Sequence, residues 1–309
     1  MNGIFDDFKA EFSKRDNTLI QLILVNLVVF VVILLLKITL YFGEVAHVYG
    51  WVLTHLSLPA SLYSFVYKPW TLLTNFFVHE GVFHILFNML FLYWFGSLVE
   101  EYIGGRRLLS LYILGGLAGG LTFMFLYNVL PYFSASLPSA SLYGASGAVY
   151  AIIVGAATLL PEHTFSLLLI GPVRIKYIAL FYILLSMAEL VGSNPGGNIA
   201  HLAGALLGFV FIKSLRNGTD LGAPVNATAD FITILFKKKP QMRVSYKREA
   251  SPAPSSRSFY VSGQKPVANA TAMPNQDEID AILDKISKSG YESLSKEEKQ
   301  RLYKASQQS

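Results

Sequence analysis

The sequence predicts an all-α membrane protein, with a bundle of six transmembrane helices and a cytoplasmic, partly disordered C-terminal tail. Of its 309 residues, 53% are hydrophobic and only 15% are charged, whereas soluble domains usually carry about 25% charged residues. The charges concentrate in the tail, because residues 1–216 carry 21 of them and residues 217–309 carry 24. Long apolar runs in the first part exclude a single soluble domain. The chain has no cysteine, which excludes a disulfide framework, a zinc–thiolate site and a thiol nucleophile.

The first helix is predicted from an apolar run between Leu19 and Leu36, which is long enough to span a bilayer. It follows a segment of mixed charge and ends at Lys37. A cleavable signal peptide would place its apolar run nearer the N-terminus, so this helix is expected to be retained. Residues 43–80 contain scattered apolar patches and interfacial aromatic residues such as Trp51, and they are expected to fold against the membrane surface.

Five further apolar segments are predicted as membrane spans. They lie at about residues 82–99, 108–130, 143–161, 174–191 and 199–215. With six spans, the Lys and Arg residues of the N-terminus, of two connections and of the end of the sixth span all fall on one side of the membrane. They are Lys9, Lys14, Arg15, Arg106, Arg107, Arg174, Lys176, Lys213 and Arg216. Basic loops stay cytoplasmic, so both termini are expected in the cytoplasm. No eukaryotic-type transit peptide is recognisable, and the compact six-helix form favours a bacterial inner membrane.

Four polar residues on three of these helices are expected at one depth, near the outer surface. In this topology His84 and Asn88 share one face of helix two, Ser146 starts helix four, and His201 lies near the start of helix six. Polar side chains inside a membrane are costly and mark candidate functional sites. Each alone has an ordinary explanation, such as helix packing or a hydrogen bond that pins a loop, but their coincidence at one depth favours function. His79, just before helix two, is interpreted as a residue that ties down the preceding loop.

These residue types suit acyl transfer. A serine hydroxyl needs a base within hydrogen-bond reach, and His201 is the candidate base for Ser146. The developing oxyanion needs donors, which His84, Asn88 and the Ser146 backbone N–H are able to supply. Glu189 is a candidate acid for His201, although a solvated helix terminus is the favoured interpretation of this residue.

Small residues are expected to bring these groups together. Helix six carries such residues at four-residue spacing: Ala200, Gly204 and Gly208. If this face packs on helix four, His201 meets Ser146. Gly144 and Gly147 flank the serine and allow another backbone to come close, and Tyr150, one turn later, is placed to stack on the imidazole.

Other catalytic and cofactor motifs do not occur in the sequence. The Gly-x-Ser-x-Gly elbow of soluble hydrolases needs a preceding strand and a glycine where Ala148 stands. No phosphate-binding loop or metal-ligand cluster is recognisable, so neither a cofactor nor a metal is expected. The net charge of +5 comes mostly from the tail, and it indicates a cytoplasmic membrane-surface bias rather than binding to nucleic acid.

Over about residues 17–215 these motifs resemble the rhomboid intramembrane serine proteases. Four segments carry the resemblance: HEGVFHILFN at residues 79–88, EEYIGGR at residues 100–106, GASG at residues 144–147 and NIAHLAGALLG at residues 198–208. One departure is found in the first loop, where the family often has a Trp-Arg pair and this chain has Trp70 followed by Thr71. The departure concerns the anchoring of the loop and not catalysis.

The resemblance implies a six-helix rhomboid bundle with a Ser–His dyad and no acid. Ser146 would be the nucleophile and His201 the general base. Support of the oxyanion and of the base would fall to four residues: His84, Asn88, Gly144 and Tyr150. Substrates would be single-span or other transmembrane proteins in the lipid bilayer, cut near the outer end of a helix. Residues 192–198 and the fifth helix would form a lateral gate.

The chain is expected to have four parts: a cytoplasmic N-terminus at 1–17, the membrane domain at 18–216, a largely disordered linker at 217–275 and a small helical hairpin at 276–309. Residues 229–239 are equally compatible with a membrane-surface patch and with a short ordered linker, and the Ser, Pro and Ala content of residues 240–275 predicts disorder. An apolar stripe and the capping box Ser295–Glu298 predict the hairpin, which is a candidate docking element for a cytoplasmic partner.

The sequence favours an intramembrane serine endopeptidase over two alternative functions. A catalytically silent relative that binds membrane clients would predict loss of Ser146 or His201, and both are present. A transporter or channel would predict charged residues or broken helices at mid-membrane and repeat symmetry, whereas the polar residues here gather at one outer depth.

Overall fold

The computed structural model describes residues 17–167, 171–236 and 276–306. The chain forms two compact units, which divide at residue 240. Almost all of the predicted N-terminal segment 1–17, and residues 237–275 of the predicted linker, lie outside the described residues.

The first unit is helical, with two short antiparallel strand pairs. Its helices are α1 Thr18–Phe42, α2 Ala46–Leu56, α3 Leu62–Val66, α4 Thr71–Thr74, α5 Val82–Ile103, α6 Gly105–Val129, α7 Ser146–Leu159, α8 Ile175–Ala188, α9 Pro195–Arg216 and α10 Ala223–Phe236. Its strands are β1 Leu58–Pro59, β2 Ser141–Leu142, β3 Thr164–Leu167 and β4 Gly171–Arg174, with β1 paired to β2 and β3 paired to β4. Single 3₁₀ turns occupy Asn75–Phe77 and Pro131–Phe133.

Six of these helices, α1 and α5 to α9, correspond to the predicted spans, and the predicted all-α membrane bundle is confirmed. Among the described helices α1, α5, α6 and α9 are long and apolar enough to cross a membrane. The other two, α7 and α8, are apolar but only 14 residues long each. At about 1.5 Å per residue, such a helix extends about 21 Å, which is less than the roughly 30 Å hydrocarbon core of a bilayer.

The sixth span begins four residues earlier than the predicted start at residue 199. Pro195 occupies the first turn of α9, where its missing N–H costs nothing. The Asn194 side chain caps the helix by accepting a hydrogen bond from the Gly197 N–H at 3.0 Å. His201 therefore lies in the second turn of α9 rather than the first.

Helix α7 lies at the centre of the bundle. Eleven of its 14 residues are buried, and it packs against α5, α6 and α9. A Cβ atom at Gly204 would overlap the Gly147 carbonyl oxygen, and one at Gly208 would overlap that of Ala151. The two helix backbones are therefore in direct contact, which confirms the prediction that the small-residue face of the sixth span packs on the fourth.

Helix α8 is held much less firmly. Its buried residues are Ile175, Ala179 and Ser186, all on one narrow face. The rest of the helix exposes large apolar side chains such as Phe181 and Leu184. An apolar cavity of about 540 Å³ lies between α8, α5 and the β3–β4 hairpin.

The loop over residues 43–80 braces the segment that leads into α7. Leu58 in β1 pairs with Leu142 in β2, and the Gly144 N–H donates to the Asn75 carbonyl at 2.8 Å. Trp70 Nε1 donates to a backbone carbonyl of α2, that of His55, at 2.8 Å. Thus the loop is anchored through Trp70 although threonine follows it.

The start of the predicted linker contains a helix, α10, which the sequence analysis did not predict. Helix α10 begins with a proline in its first turn, a common helix start. Two ion pairs, Arg106–Asp230 at 2.7 Å and Arg107–Asp220 at 3.1 Å, hold this segment against the start of α6. Its apolar residues at 231, 232, 234 and 235 are exposed.

The second unit contains α11 Gln276–Ser289, a 3₁₀ turn at Tyr291–Ser293 and α12 Lys296–Ser306. Gly290, at φ 78°, ends the first helix. The Ser295 N–H donates to the Glu298 carboxylate at 2.7 Å, and the Glu298 N–H donates to Ser295 Oγ at 3.2 Å. This reciprocal pair is the predicted capping box.

Candidate active site

Ser146 and His201 meet where α7 and α9 cross. Ser146 is the first residue of α7, and its Oγ lies 2.8 Å from His201 Nε2. The close helix contact at Gly147 and Gly204 sets this distance, because Gly147 is adjacent to Ser146 and Gly204 is one turn from His201. The hydroxyl and the imidazole are thus within the reach that proton transfer requires.

The imidazole of His201 is fixed on its face and on its far edge. The Tyr150 ring stacks on it with centroids 4.2 Å apart and planes 6° apart, as the sequence predicted. Nδ1 lies 3.2 Å from the Oγ of Ser186, a buried residue near the end of α8. Sequence reasoning missed Ser186, and its only signal is that it is the one polar residue between Tyr182 and Glu189 in an apolar helix.

Glu189 does not serve as an acid for His201 in the described part of the chain. The Glu189 backbone carbonyl accepts from Asn198 Nδ2 at 2.9 Å, whereas the partner of His201 Nδ1 is a serine. The favoured interpretation of Glu189 as a helix-end residue agrees with this position, since α8 ends at Ala188.

Gly144 allows His84 to approach the serine. Its φ of 121° is in the region that favours glycine, and a Cβ there would come within 2.8 Å of His84 Cε1 and Nε2. The same position is 3.9 Å from Ser146 Oγ. A side chain at residue 144 would therefore push the His84 ring away from Ser146.

Asn88 lines the same cavity as Ser146 and His84. The cavity has a volume of about 300 Å³ and is otherwise walled mainly by aromatic and aliphatic side chains, including Phe91 and Tyr182. Asn88 Nδ2 donates to the His84 carbonyl at 2.8 Å. An amide has two N–H donors, and this bond uses one of them.

The backbone N–H groups at the start of α7 are a second source of donors. The first intrahelical bond here runs from the Val149 N–H to the Ala145 carbonyl. The N–H groups of Ser146, Gly147 and Ala148 therefore have no acceptor within the helix. They point toward the end of α7 that carries the hydroxyl, where a helix terminus favours negative charge.

His79 ties the loop to the start of α7, as its interpretation from the sequence expected. Its ring is fully buried, and its Nε2 accepts from the Ala145 N–H at 3.3 Å. Burial, with a smaller contribution from His84, lowers the pKa of His79 to about 4. The ring is therefore neutral near pH 7, which leaves Nε2 a lone pair for this hydrogen bond.

Glu80, beside His79, binds a tyrosine of the 43–80 segment, a contact that sequence reasoning did not find. Tyr49 Oη donates to Glu80 Oε1 at 3.1 Å, and the same carboxylate acts on the pKa of Tyr143. Burial and then the Glu80 charge raise the pKa of Tyr49 to about 12, and burial and then the Glu80 side chain do the same for Tyr143. Both phenols therefore stay protonated near pH 7, and Tyr49 keeps the proton that it donates to Glu80.

No candidate metal site occurs among the residues that the structure describes. Within residues 17–167, 171–236 and 276–306 no group of three or more His, Asp or Glu side chains is placed to hold a metal ion. The chemistry available at Ser146 is that of a hydroxyl, an imidazole and hydrogen-bond donors.

Comparison with known proteins extends these observations. A model of the rhomboid domain matches residues 67–217, and a model of a family of unknown function (DUF6576) matches residues 268–308. The Rhomboid-like protein 16, chloroplastic, of Arabidopsis thaliana is 32% identical over 171 residues, which cover 51% of this chain and 53% of that protein. Rhomboid protease GlpG of Haemophilus influenzae is 29% identical over 154 residues, covering 47% and 68%. Rhomboid protease GluP of Bacillus subtilis is 30% identical over 154 residues, covering 50% and 24%. The chain thus spans only about half the length of the plant relative.

Proposed function

We infer that this chain, an integral multi-pass membrane protein, belongs to the rhomboid family, and we propose that it is a serine endopeptidase that cleaves transmembrane segments of other proteins near the outer face of the bilayer. The observation that carries the proposal is the 2.8 Å contact between Ser146 Oγ and His201 Nε2. This contact lies beside a cavity that also exposes His84 and Asn88. Nucleophile, base and donors are thus present together.

The first half of the reaction forms an acyl-enzyme. Ser146 Oγ attacks the scissile carbonyl carbon while His201 Nε2 takes its proton. The negative charge that develops on the carbonyl oxygen is stabilised by the Ser146 N–H, Asn88 and His84, and one such donor is typically worth roughly 3–4 kcal/mol. His201 then returns the proton to the leaving amine, and the peptide C–N bond breaks.

The second half restores the enzyme. His201 Nε2 takes a proton from water, and the resulting hydroxide attacks the ester carbon on Ser146. The ester C–O bond breaks, Ser146 Oγ recovers a proton from His201, and the new carboxyl end of the substrate leaves. The same donors stabilise this second oxyanion.

The short length of α7 supports a site below the membrane surface. Arg216, at the end of α9, donates to the Leu159 carbonyl at the far end of α7 at 3.0 Å. A guanidinium is stable near the membrane–water interface, which favours a position of that end of α7 near the inner surface. Since α7 extends about 21 Å, Ser146 would lie roughly 10 Å below the outer boundary of the hydrocarbon core. Water must then reach it through a cavity lined by protein.

A substrate helix would enter beside α8. Phe91 on α5 and Tyr182 on α8 are in edge-to-face contact at 5.0 Å, and both line the catalytic cavity and the apolar cavity next to it. With residues 192–198, α8 would form the gate. Because the backbone of a helix is already hydrogen-bonded, the substrate must unwind locally before attack, and Gly or Pro near the cut would ease this step.

The charges at the end of the bundle away from Ser146 support one orientation in the membrane. Ion pairs of Arg174 and Lys176 with Glu162 lie there, as does the Arg216 contact. Because basic ends stay cytoplasmic, we infer that both termini are cytoplasmic and that the site faces the outside. A bacterial inner membrane, and a cytoplasmic partner for the hairpin, remain predictions.

Cleavage of a model single-span protein in liposomes tests the proposal. The wild type should release product, and Ser146→Ala and His201→Ala should not. The exposed residues Ser141 and His47 provide matched controls, because Ser141→Ala and His47→Ala remove the same side chains away from the site. A fluorophosphonate probe should label the wild type and leave Ser146→Ala unlabelled. Undiminished product from Ser146→Ala would end the proposal.

The alternative, a catalytically silent member that binds membrane clients, has the same fold and predicts no turnover. Capture of the model substrate without cleavage, equal for the wild type and Ser146→Ala, would favour this alternative.

A further inference from the structure

Ser186 is a buried polar residue that the proposed reaction does not use. It is 1% exposed and lies on α8, whose other buried residues are apolar. Its Oγ is 3.2 Å from His201 Nδ1 and 3.0 Å from the Tyr150 hydroxyl. It therefore touches the base on the edge opposite Ser146.

The hydrogen bonds around Ser186 form a hydrogen-bond chain in which the donor and the acceptor of each bond can be assigned. A backbone carbonyl accepts and never donates, so the Tyr150 hydroxyl, 3.5 Å from the Tyr182 carbonyl, donates to it. With its proton used there, Tyr150 accepts from Ser186. The single proton of Ser186 is then also used, so its oxygen offers a lone pair to His201. Nδ1 must carry a proton to complete the chain.

We propose that Ser186 is a positioning residue that fixes the tautomer and orientation of His201, an inference that rests on the proposed function. With the proton on Nδ1, Nε2 keeps its lone pair toward Ser146, and this is the tautomer that acts as a base. When Nε2 takes the serine proton, Nδ1 still donates to Ser186. The ring therefore keeps its orientation through both halves of the reaction, without a carboxylate.

If the donors and acceptors in this hydrogen-bond chain were reversed, the site would be inactive. If Ser186 donated to Nδ1, His201 would carry its proton on Nε2, and Nε2 would have no lone pair to accept from Ser146. Tyr150 would then have to donate to Ser186 and lose its bond to the Tyr182 carbonyl. The tyrosine thus has two roles, since its ring stacks on the imidazole and its hydroxyl sets the direction of the chain.

Kinetics of the full-length protein in liposomes test this assignment. Ser186→Ala should lower kcat about 10- to 100-fold, with KM within about twofold of wild type. The rate of fluorophosphonate labelling at Ser146 should fall by the same factor. Tyr150→Phe keeps the ring and breaks the chain, so it should also lower kcat, and the double variant should be no slower than Ser186→Ala alone. Ser110→Ala is the matched control, because Ser110 is a buried serine that bonds to backbone carbonyls outside the site.

The tautomer can be measured without activity. In ¹⁵N-histidine-labelled protein, the His201 signals are assigned by their loss in His201→Ala. The wild type should show a protonated Nδ1 and a bare Nε2, and Ser186→Ala should show a mixture of tautomers. A wild-type protein with the proton on Nε2 would overturn the inference, as would a Ser186→Ala variant with wild-type kcat and labelling rate.

The two proposals fail in different ways. A wild type that cleaves nothing would refute the protease, while its tautomer would still test the role of Ser186. An active wild type whose kcat does not respond to Ser186→Ala would refute only the present inference. If thermal unfolding shows that Ser186→Ala does not fold, Tyr150→Phe and the wild-type tautomer decide.

Discussion

Gly204→Ala is expected to separate the two helices that carry the reacting groups. The new methyl group would overlap the carbonyl oxygen of Gly147, the residue after Ser146. Because the overlap is with backbone, it is relieved only if α9 moves from α7 by about 1 Å. The Ser146–His201 distance, 2.8 Å in the structure, would then exceed the limit of about 3.5 Å for a hydrogen bond. A misplacement of this size costs about 100-fold in rate, and the overpacking itself costs about 1–3 kcal/mol of stability.

The assay is substrate cleavage in liposomes, with kcat and KM measured separately and fluorophosphonate labelling as a check on the serine alone. Gly147→Ala gives a graded comparison, because its Cβ would meet the Ala200 carbonyl oxygen at 3.4 Å, a much milder contact. Its loss of rate should be smaller. Gly50→Ala, whose Cβ would have no neighbour within 4 Å, should leave the rate unchanged. If Gly204→Ala kept both the wild-type kcat and the wild-type unfolding temperature, the claim that backbone contact sets the catalytic distance would be wrong.

Three further predictions follow from contacts around the site and the tail. Below about pH 6.5 the unfolded chain protonates His79 and the folded one does not until about pH 4, so the free energy of unfolding should fall across this interval as pH decreases, by at most about 3 kcal/mol. His79→Gln keeps an acceptor for the Ala145 N–H and should flatten this part of the profile in thermal scans; an unchanged slope would exclude His79 as its source. Gly144→Ala introduces both an unfavourable φ and a steric clash with a ring of the site, and should lower kcat about tenfold, corresponding to roughly 1–2 kcal/mol; a wild-type kcat would contradict this. Arg106→Gln removes an exposed ion pair with Asp230 and should change the free energy of unfolding by less than about 1 kcal/mol, so a larger loss in thermal unfolding would refute the view that this contact is weak.

The meeting of Ser146 and His201 was predictable because it depends on chain order and residue size. Small residues at four-residue spacing indicate a face that packs closely, and Gly204 on that face is one turn from the histidine. The spacing of His84 and Asn88 put them on one helix face for the same reason. These arguments need only helical geometry and the number of spans.

Ser186 could not be predicted in the same way. One serine in an apolar helix has no period or partner in the sequence, and its role depends on how α8 is rotated against α7 and α9. That rotation is set by packing, which is a property of all three helices. The start of α10 was missed for a different reason, because Asp220 and Asp230 gain their partners only when the chain returns to the start of α6.

Because α8 is attached to the bundle by few buried residues, substrate entry and catalysis would be coupled. This helix contributes only three buried residues, and one of them, Ser186, contacts His201. If α8 is the proposed gate, its outward movement would carry the Ser186 hydroxyl away from His201 and leave the imidazole without that partner. The open state would then be inactive. Cleavage would begin only after α8 has closed over the bound substrate.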